Sequence, residues 1–243
     1  MNIIKLNATE STNSFLKELL LTQNVDNFTI VITENQTKGK GQVGSIWDST
    51  PGKNLTFSVL IKDFVVGASS MFILNTLVSV SIIKALEKFK INNLSIKWPN
   101  DILSEQKKIG GVLVENIFRG NNEIVSIVGI GLNVNQLHFE NLPQASSLAI
   151  LNNREYDKDL ILLEIHNQLQ NHYKEILNNF KKDFWEEYHY YLFKRNIPSV
   201  FLSADNHKFM GIIKGVSEIG KLQVMLEDDS IQEYNIKEIK MLY

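Results

Sequence analysis

The sequence has no cysteine among its 243 residues and no long uninterrupted apolar run. The first absence excludes disulfides, thiolate nucleophiles, zinc fingers and iron–sulfur clusters. The longest apolar candidate, residues 71–86, is interrupted by polar side chains and falls short of the roughly 18 apolar residues of a membrane-spanning helix. The amino-terminal residues also lack the pattern of a signal peptide. We therefore expect a cytoplasmic protein that binds no membrane.

The chain carries little net charge. Its formal charge is −2 and its pI is near 6.2, so the broad basic surface of a nucleic-acid-binding domain is missing. We expect no nucleic-acid partner, and any bound anion must be held by local groups. With 44% hydrophobic and 21% charged residues, the composition is typical of a folded domain with its own core.

Hydrophobic periodicity predicts an α+β fold in which a mixed, mainly antiparallel sheet packs against helices. The cap sequence Ser-Thr-Asn precedes the first helix, predicted over residues 12–21. β-Branched or alternating segments predict strands, and a long apolar segment ending in Lys and Glu predicts a buried helix. These strands are predicted at 28–34, 54–61 and 94–98, the last ended by Pro99, and the buried helix at 69–89.

A hairpin and two further helices are predicted next. Residues 111–134 form two alternating segments around an Arg-Gly-Asn-Asn turn at 119–122, which indicates an antiparallel hairpin. Residues 156–193 have helical periodicity. Their apolar stripe is predicted to contain Leu160, Leu163, Ile165, Leu169, Tyr173, Ile176 and Leu177.

The last fifty residues have the sequence pattern of a small all-β module. Short apolar segments alternate there with turn residues. We predict a first domain over residues 1–193 and a second over 194–243. The strands of the second are predicted at 198–204, 208–216, 221–228 and 230–236.

A glycine-rich loop, Gly39 to Gly44, matches the dinucleotide pattern G-x-G-x-x-G but not its context. A turn sequence and a strand follow it, where a Rossmann loop would open a helix. It is not a P-loop, because Ser45 and Ile46 stand where Lys and Ser or Thr are required. Two interpretations stay open: a nest of backbone N–H groups that wraps an anion, and an ordinary connection.

Lys97 ends a predicted core strand in the run Lys-Trp-Pro-Asn-Asp. A lysine held at a strand end can place a positive charge on phosphate or carboxylate oxygens, although Lys97 could equally pair with Asp101 at the surface. A second basic spot, Lys107 and Lys108, precedes a glycine pair. Glycines also interrupt the strand at 129 and 131, which indicates close approach of its backbone to a neighbour or a ligand.

Taken in order, these motifs resemble the catalytic domain of biotin–protein ligases from residue 11 to about residue 135. They are STN, Q-x-x-G-x-G-x-x-G-x-x-W, PGKNL-x-x-S, KWPND, K-x-GG-x-L-x-E and G-x-G-x-N. The β module resembles that family's SH3-like carboxy-terminal domain. The resemblance implies a class II synthetase-like catalytic domain and a small β-barrel. It also implies a ligase that makes biotinyl-5′-AMP from biotin and MgATP and transfers biotin to one lysine of a biotin carboxyl carrier domain.

The same resemblance implies roles for individual residues. Lys97 would be the catalytic cation, in contact with the biotin carboxylate and the α-phosphate. The biotin-binding residues would be Ser11, Thr12, Asn13, Gln36, Gly39, Lys40, Gly41, Gln42, Lys97 and Gly111. The ATP and adenylate would contact Lys40, Gln42, Trp47, Asn100, Lys108 and Asn133. Magnesium would arrive with ATP, without fixed protein ligands, and the five histidines are expected to be structural.

Two departures from the family pattern carry expectations of their own. Many members have arginines in the glycine loop where this chain has Lys40 and Gln42, so we expect looser retention of the activated biotin. Some relatives carry an amino-terminal helix-turn-helix domain, whereas the motifs here begin at Ser11, so we expect no operator binding.

Alternatives remain at this point. A lipoate–protein ligase or octanoyltransferase shares the fold class, but its typical RR-x-x-GGG loop is missing from the sequence. A non-catalytic nucleotide-binding module is the second alternative, and the presence of Lys97 argues against it. The oligomeric state stays open, since some family members form homodimers through sheet edges and others do not.

Overall fold

The computed structural model describes residues 1–64, 68–118, 124–177 and 181–243. The turn predicted at 119–122 lies outside the described residues. The elements are β1 (Ile3–Thr9), α1 (Thr12–Thr22), β2 (Ile30–Gln36), a 3₁₀ turn (Gln42–Gly44), β3 (Leu55–Lys62), α2 (Ala68–Lys88), β4 (Leu94–Lys97), β5 (Asp101–Ser104), β6 (Lys107–Phe118), β7 (Ile124–Leu132), α3 (Leu148–Asn152), α4 (Lys158–Leu177), α5 (Lys181–Tyr191), β8 (Pro198–Ser203), β9 (Lys208–Val216), β10 (Leu222–Met225), β11 (Ile231–Tyr234) and β12 (Ile239–Leu242).

The larger sheet has seven strands in the order β1-β2-β3-β7-β6-β5-β4. Strands β1 and β2 are parallel, and each other neighbouring pair is antiparallel. The predicted fold class, a mixed and mainly antiparallel sheet packed with helices, is therefore confirmed. The central strand β3 is buried along nearly its whole length because helices cover both faces of the sheet.

The two faces are covered by different helices. On one face, Leu16 of α1 packs with Leu60 and Ile127. On the other, Leu77 of α2 packs in a larger core with Phe57, together with side chains of α4 and α5. The functional residues described below lie on the α1 face, where one short helix leaves part of the sheet open.

The apolar stripe predicted for α4 is partly wrong. Ile165, Leu169, Tyr173 and Ile176 are buried as predicted, but Leu160, Leu163 and Leu177 are 55%, 44% and 53% exposed. The buried face instead includes Ile161, Leu162, His166 and His172. Leucines occur on both sides of the buried face of α4. The positions of the apolar residues in the sequence therefore did not show where the centre of that face lies.

Four short or half-exposed elements were not predicted from the sequence. Strand β1 alternates irregularly and is half-exposed along one edge of the sheet. Strands β5 and β12 have four residues each, and α3 has five. Such short segments contain too few periods for a pattern to stand out.

The carboxy-terminal residues form a second sheet in the order β11-β10-β9-β8-β12, as expected for an SH3-like module. It docks on the first part through side-chain to backbone bonds. Trp98 Nε1 donates to Gly220 O at 2.9 Å, and His189 Nε2 accepts from Val216 N at 2.9 Å. The sheets have no strand in common, and the division into 1–193 and 194–243 stays a proposal. Within the described ranges no helix is both long and apolar enough to cross a membrane.

Candidate functional site

A row of cross-strand neighbours forms the floor of a cleft on the α1 face. Thr56 lies opposite Gly131, Gly131 opposite Gly111, Gly111 opposite Asp101, and Asp101 opposite Lys97. Directly opposite residues on neighbouring strands point to the same face. The two glycines in the middle of the row contribute no side chain, so the floor is open there. The cleft has a volume of about 280 Å³.

The amino end of α1 forms one wall of the cleft. Ser11 caps the helix by accepting from Ser14 N, and its neighbours Thr12 and Asn13 are also buried. Gln36, at the end of β2, accepts from Thr12 N at 2.8 Å. These polar groups are buried at the lining of the cleft, so a ligand there meets donors and acceptors that are already oriented.

Asn13 is held by three other elements. Its Oδ1 lies 2.5 Å from Ser58 Oγ of β3, and its Nδ2 donates to Glu115 Oε2 of β6 at 2.6 Å. Gly129 of β7 leaves room for this side chain, because a Cβ there would lie 2.6 Å from Asn13 Oδ1. Ser58 and Glu115 belong to the sequence motifs PGKNL-x-x-S and K-x-GG-x-L-x-E, but no role was predicted for either residue.

The glycine loop covers the cleft as a small closed turn. Gly41 N donates to Ser45 O at 2.7 Å, and Trp47 N donates to Gly39 O at 3.0 Å. Lys40 Nζ donates to Ser14 Oγ at 3.0 Å, which ties the loop to α1. Those two backbone N–H groups are engaged within the loop, so they are not available to a nest that wraps an anion. The prediction that a strand follows the loop, without a Rossmann helix, is confirmed.

Trp47 separates the cleft from a neighbouring cavity of about 310 Å³. Its ring packs on the backbone of Gly131, where a Cβ would overlap the indole. The prediction that the backbone approaches a neighbour closely at Gly129 and Gly131 is therefore confirmed. The neighbours are the side chains of Asn13 and Trp47. Trp47 Nε1 is buried without a hydrogen-bond partner among the described residues. Asn133 lines the neighbouring cavity, where its Nδ2 donates to Ser146 O at 3.0 Å.

Lys108 enters the cleft because β6 contains an irregularity. Ile102 pairs with Gly110, but Leu103 pairs with Lys108, so Ile109 is an extra residue in the ladder. Side chains alternate along a regular strand, so Lys108, three residues before Gly111, would face away from it, but the irregularity at Ile109 turns Lys108 to the same side. With it, Lys108 Nζ lies 2.6 Å from Asp101 Oδ1 in the cleft.

Lys97 lies beside this cleft and is not part of its lining, and the catalytic role that the sequence resemblance implies for it stays a proposal. Its Nζ is 4.0 Å from Asp101 Oδ2 and 4.8 Å from the centre of the Tyr243 ring. It lines a second cavity of about 480 Å³ between the two sheets. The physical reason is its position at the end of the row, two strands away from Gly111. Burial is the largest influence on the Lys97 ammonium and lowers its pKa, with Lys108 adding to this and Asp101 opposing it.

The structure thus brings together most of the side chains predicted for the site. The residues that line the cleft are Ser11, Thr12, Asn13, Gln36, Lys40, Gly41, Gln42, Trp47, Asn100, Lys108 and Gly111. Gly39 belongs to the loop but is not part of the lining, and Asn133 and Lys97 line the two neighbouring cavities. Ile236 and Lys237 also line the cleft, although neither was predicted. The described residues contain no cluster of three or more side chains suited to bind a metal ion.

The comparison that decides the family covers just over half of the chain. Residues 6–135 match the model of the Biotin/lipoate A/B protein ligase family. The chain belongs to this family. The matched residues include α1, the glycine loop, Lys97, Lys108 and the hairpin β6–β7, so they contain the cleft described above apart from its carboxy-terminal contribution.

Individual members of this family resemble the chain over different spans. The bifunctional ligase/repressor BirA of Bacillus spizizenii is 28% identical over 178 residues, 70% of this chain and 54% of that protein. The biotin–protein ligase of Homo sapiens is 37% identical over 112 residues, 43% of this chain and 15% of that protein. This chain therefore spans about half of the Bacillus relative.

A solved structure matches nearly the whole chain. The biotin protein ligase of Aquifex aeolicus, in complex with biotin and ATP, superposes with a TM-score of 0.80 at 27% identity. The match covers 99% of this chain and 98% of that one. Family membership and fold thus agree with the α+β domain followed by an SH3-like sheet.

Proposed function

We propose that this protein is a biotin–protein ligase that activates biotin with MgATP and transfers it to a lysine of a carrier protein. The observation that carries the proposal is the geometry of the cleft. The polar residues at the amino end of α1 lie on the same face of the sheet as Lys108. The whole chain also superposes on a ligase that was solved with biotin and ATP. The polar groups of α1 can form hydrogen bonds with a small polar ring, and Lys108 can bind the carboxylate and the phosphate that react.

The first step is the binding of biotin. The ureido ring of biotin has fixed N–H and C=O groups, and Ser11, Thr12, Asn13 and Gln36 offer acceptors and donors for them. A site built this way rejects an analogue without those groups by roughly 10⁴-fold, because its own polar groups would be left unpaired. The glycine loop, with Gly39, Lys40, Gly41 and Gln42, would cover the bound ring and the adenylate.

The second step forms biotinyl-5′-AMP. A biotin carboxylate oxygen attacks the α-phosphorus of ATP, and the bond to the leaving pyrophosphate breaks. Lys97 is the proposed catalytic cation that stabilises this charge, as the sequence resemblance implies, and Lys108, which lines the cleft next to Gly111, would bind the adenylate phosphate. Asp101 contacts both lysines and would hold them near each other. Magnesium would be carried by the phosphates of ATP.

The adenosine part would lie against Trp47. The ring borders both the cleft and the cavity that contains Asn133, and the orphaned Nε1 of the indole offers a donor. Asn100 lines the cleft beside the phosphates and is fixed by donation from Nδ2 to Val112 O at 2.6 Å.

The last step transfers biotin. The neutral ε-amine of the acceptor lysine attacks the acyl carbon of the adenylate, AMP leaves with the phosphate oxygens, and the amine loses a proton. A biotin carboxyl carrier domain is the proposed acceptor. We propose a cytoplasmic location, in line with the lack of cysteine, and no nucleic-acid partner, in line with the net charge of −2. The oligomeric state is not part of the proposal.

The test is incubation of the protein with biotin, MgATP and an apo-carrier domain, followed by the intact mass of the carrier. We expect the mass of one biotin to be added, and no addition when ATP is omitted. The family also includes lipoate ligases. ATP–pyrophosphate exchange should therefore be measured with biotin and with lipoate in parallel, and exchange driven by lipoate alone would overturn the proposal.

A further inference from the structure

Two polar residues lie directly behind the polar groups that α1 presents to the cleft. Ser58 of β3 pairs with Gly129 of β7, which pairs with Leu113 of β6. Glu115 is the next residue of β6 on the same face, since side chains alternate along a strand. Ser58 is fully buried and Glu115 is half-buried. Neither residue lines the cleft, so each can act on a ligand only through the residues that do.

A continuous chain of hydrogen bonds joins Glu115 to the lining of the cleft. Glu115 Oε2 accepts from Asn13 Nδ2 at 2.6 Å, and Asn13 Oδ1 lies 2.5 Å from Ser58 Oγ. Ser58 Oγ in turn lies 2.7 Å from Thr12 Oγ1. Thr12 Oγ1 lies 3.2 Å from Gln36 Oε1, which also accepts from Thr12 N at 2.8 Å. The chain therefore reaches the cleft at Thr12 and Gln36.

The protons of this chain have one possible order while Glu115 is a carboxylate. A carboxylate has no proton to donate, so the amide of Asn13 must turn its Nδ2 toward Glu115 and its Oδ1 toward Ser58. An amide oxygen has no proton either, so the Ser58 hydroxyl donates its single proton to Asn13. The contact between Ser58 and Thr12 then requires the proton of Thr12. Each group in the chain thus fixes the role of the next.

The result at the cleft is an oxygen that accepts hydrogen bonds and has no proton to offer. Because the hydroxyl proton of Thr12 is directed at Ser58, the lone pairs of Thr12 Oγ1 remain for a ligand. Gln36 Oε1, which accepts from Thr12 N, is a second acceptor 3.2 Å away. A ligand N–H is therefore bound at this point, and a ligand oxygen is repelled.

We propose that Glu115 is a positioning residue that sets this part of the cleft to accept an N–H group of the ureido ring. The inference rests on the proposed function, and it names a residue that decides which analogues of biotin are bound. Glu115 does not contact the ligand: its carboxylate acts through Asn13 and Ser58 on the hydroxyl of Thr12. A group at position 115 that can donate as well as accept would leave the order of the protons undecided.

The variant Glu115→Gln tests this with almost no change in shape. An amide at position 115 can donate to Asn13, and the whole chain can then reverse, so that the Thr12 hydroxyl donates toward the cleft. We expect the KM for biotin to rise about tenfold, the loss of one hydrogen bond, with little change in kcat or in the KM for ATP. The matched control is Glu18→Gln, which removes the same charge at an exposed position of α1 and should behave as the wild type.

Two analogues of biotin separate a reversed chain from a merely structural effect. Each is a cyclic carbamate in which one ureido N–H is replaced by a ring oxygen, and their affinities are measured by calorimetry. For the analogue whose ring oxygen faces Thr12, the preference for biotin should fall about tenfold or more in Glu115→Gln, because Thr12 can then donate to that oxygen. For the other analogue the preference should stay unchanged. Equal weakening of biotin and both analogues would contradict the inference.

Removal of the middle of the chain provides a second check. In Ser58→Ala the hydroxyl of Thr12 is no longer coupled to Asn13, so the addition of Glu115→Gln should not change the preference for biotin further. An independent effect of Glu115→Gln in that background would show that Glu115 acts by another route, and would overturn the inference.

Failure of the proposed function would look different, because the wild type would then show no biotin-dependent pyrophosphate exchange. Two bare rings, the cyclic urea imidazolidinone and the cyclic carbamate oxazolidinone, would still test Glu115 in ligand-observed NMR. A preference of the wild type for the cyclic urea that is lost in Glu115→Gln supports the inference. The lack of such a preference in the wild type contradicts it, and so does a preference that the variant retains.

Discussion

The middle of the cross-strand row and its Lys97 end differ in what covers them. Above Gly131 and Gly111 lie the buried polar groups of α1 and the glycine loop. Above Lys97 lie apolar side chains of the second sheet, such as Phe201 and Ile239, and the ring of Tyr243. The middle of the row is suited to a polar ligand, and the Lys97 end to packing between the two sheets. Residues on one face of a sheet thus belong to different sites when different elements cover them.

The largest expected effect concerns the two lysines that contact Asp101. Lys97→Ala should slow biotin-dependent pyrophosphate exchange by roughly 10²- to 10³-fold or more, the loss seen for a single group that stabilises developing charge. Lys108→Ala, which removes a cation from the lining of the cleft, should slow it less. The control is Lys107→Ala, whose exposed side chain donates to Pro143 O. Wild-type exchange in Lys97→Ala would contradict the catalytic role of Lys97.

A second change tests whether the open floor of the cleft holds the ligand. At Gly111 a Cβ would find ordinary contacts, 3.7 Å from Lys108 Nζ, so Gly111→Ala should leave the urea midpoint unchanged or slightly higher. The added methyl would occupy ligand space, and we expect the KM for biotin to rise about tenfold. Gly131→Ala is the contrast: its Cβ would overlap Trp47, and it should lower stability by about 1–3 kcal/mol. If Gly111→Ala bound biotin normally, the ligand would lie elsewhere.

A third change tests how strongly the cleft would retain biotinyl-5′-AMP. Gln42 lines the cleft without a charge. Under the proposed function we therefore expect biotinyl-5′-AMP to escape and label lysines of other proteins. Gln42→Arg should reduce such labelling in a mixed lysate severalfold while carrier biotinylation continues. Wild-type labelling confined to the carrier, even at high enzyme concentration, would show that retention is already tight.

The smallest expected effect lies where the second sheet is attached. His189 Nε2 accepts from Val216 N, which requires a neutral ring at that nitrogen. Burial, together with the charge of Arg195, lowers the pKa of His189 below its ordinary 6.5. The unfolded chain therefore binds the proton more readily, so the stabilisation is complete above about pH 6.5 and is lost as the pH falls toward the lowered value.

His189→Gln keeps an acceptor for Val216 N and cannot be protonated. Between pH 7 and pH 5, we expect the urea midpoint of this variant to fall less than that of the wild type. At pH 7, the variant should be only slightly less stable than the wild type. His207→Gln, an exposed position in the β8–β9 turn, should keep the wild-type slope. Identical slopes in all three proteins would mean that other groups, such as the buried His166 and His172, account for the pH dependence.

Elements with strong periodicity could be predicted from the sequence, and the cleft only in part. The helix start at Thr12, the strand β3 and the antiparallel pairing of β6 with β7 follow from local pattern, and all three are confirmed. The motifs also named most of the residues that line the cleft. They did not predict the second sheet's contribution, because Lys237 lies about 130 residues beyond Lys108 and only folding brings the two together.

By itself, the sequence determined the fold class, the position of the glycine loop between two strands and the set of polar residues at the start of α1. These depend on residues close together in the chain, where periodicity and capping act. Only the tertiary structure decided which lysine faces the cleft. That choice depends on one extra residue, Ile109, in the ladder between β5 and β6, and on the sheet that covers Lys97. Strand register and domain docking are set by packing between distant segments, which a local pattern does not contain.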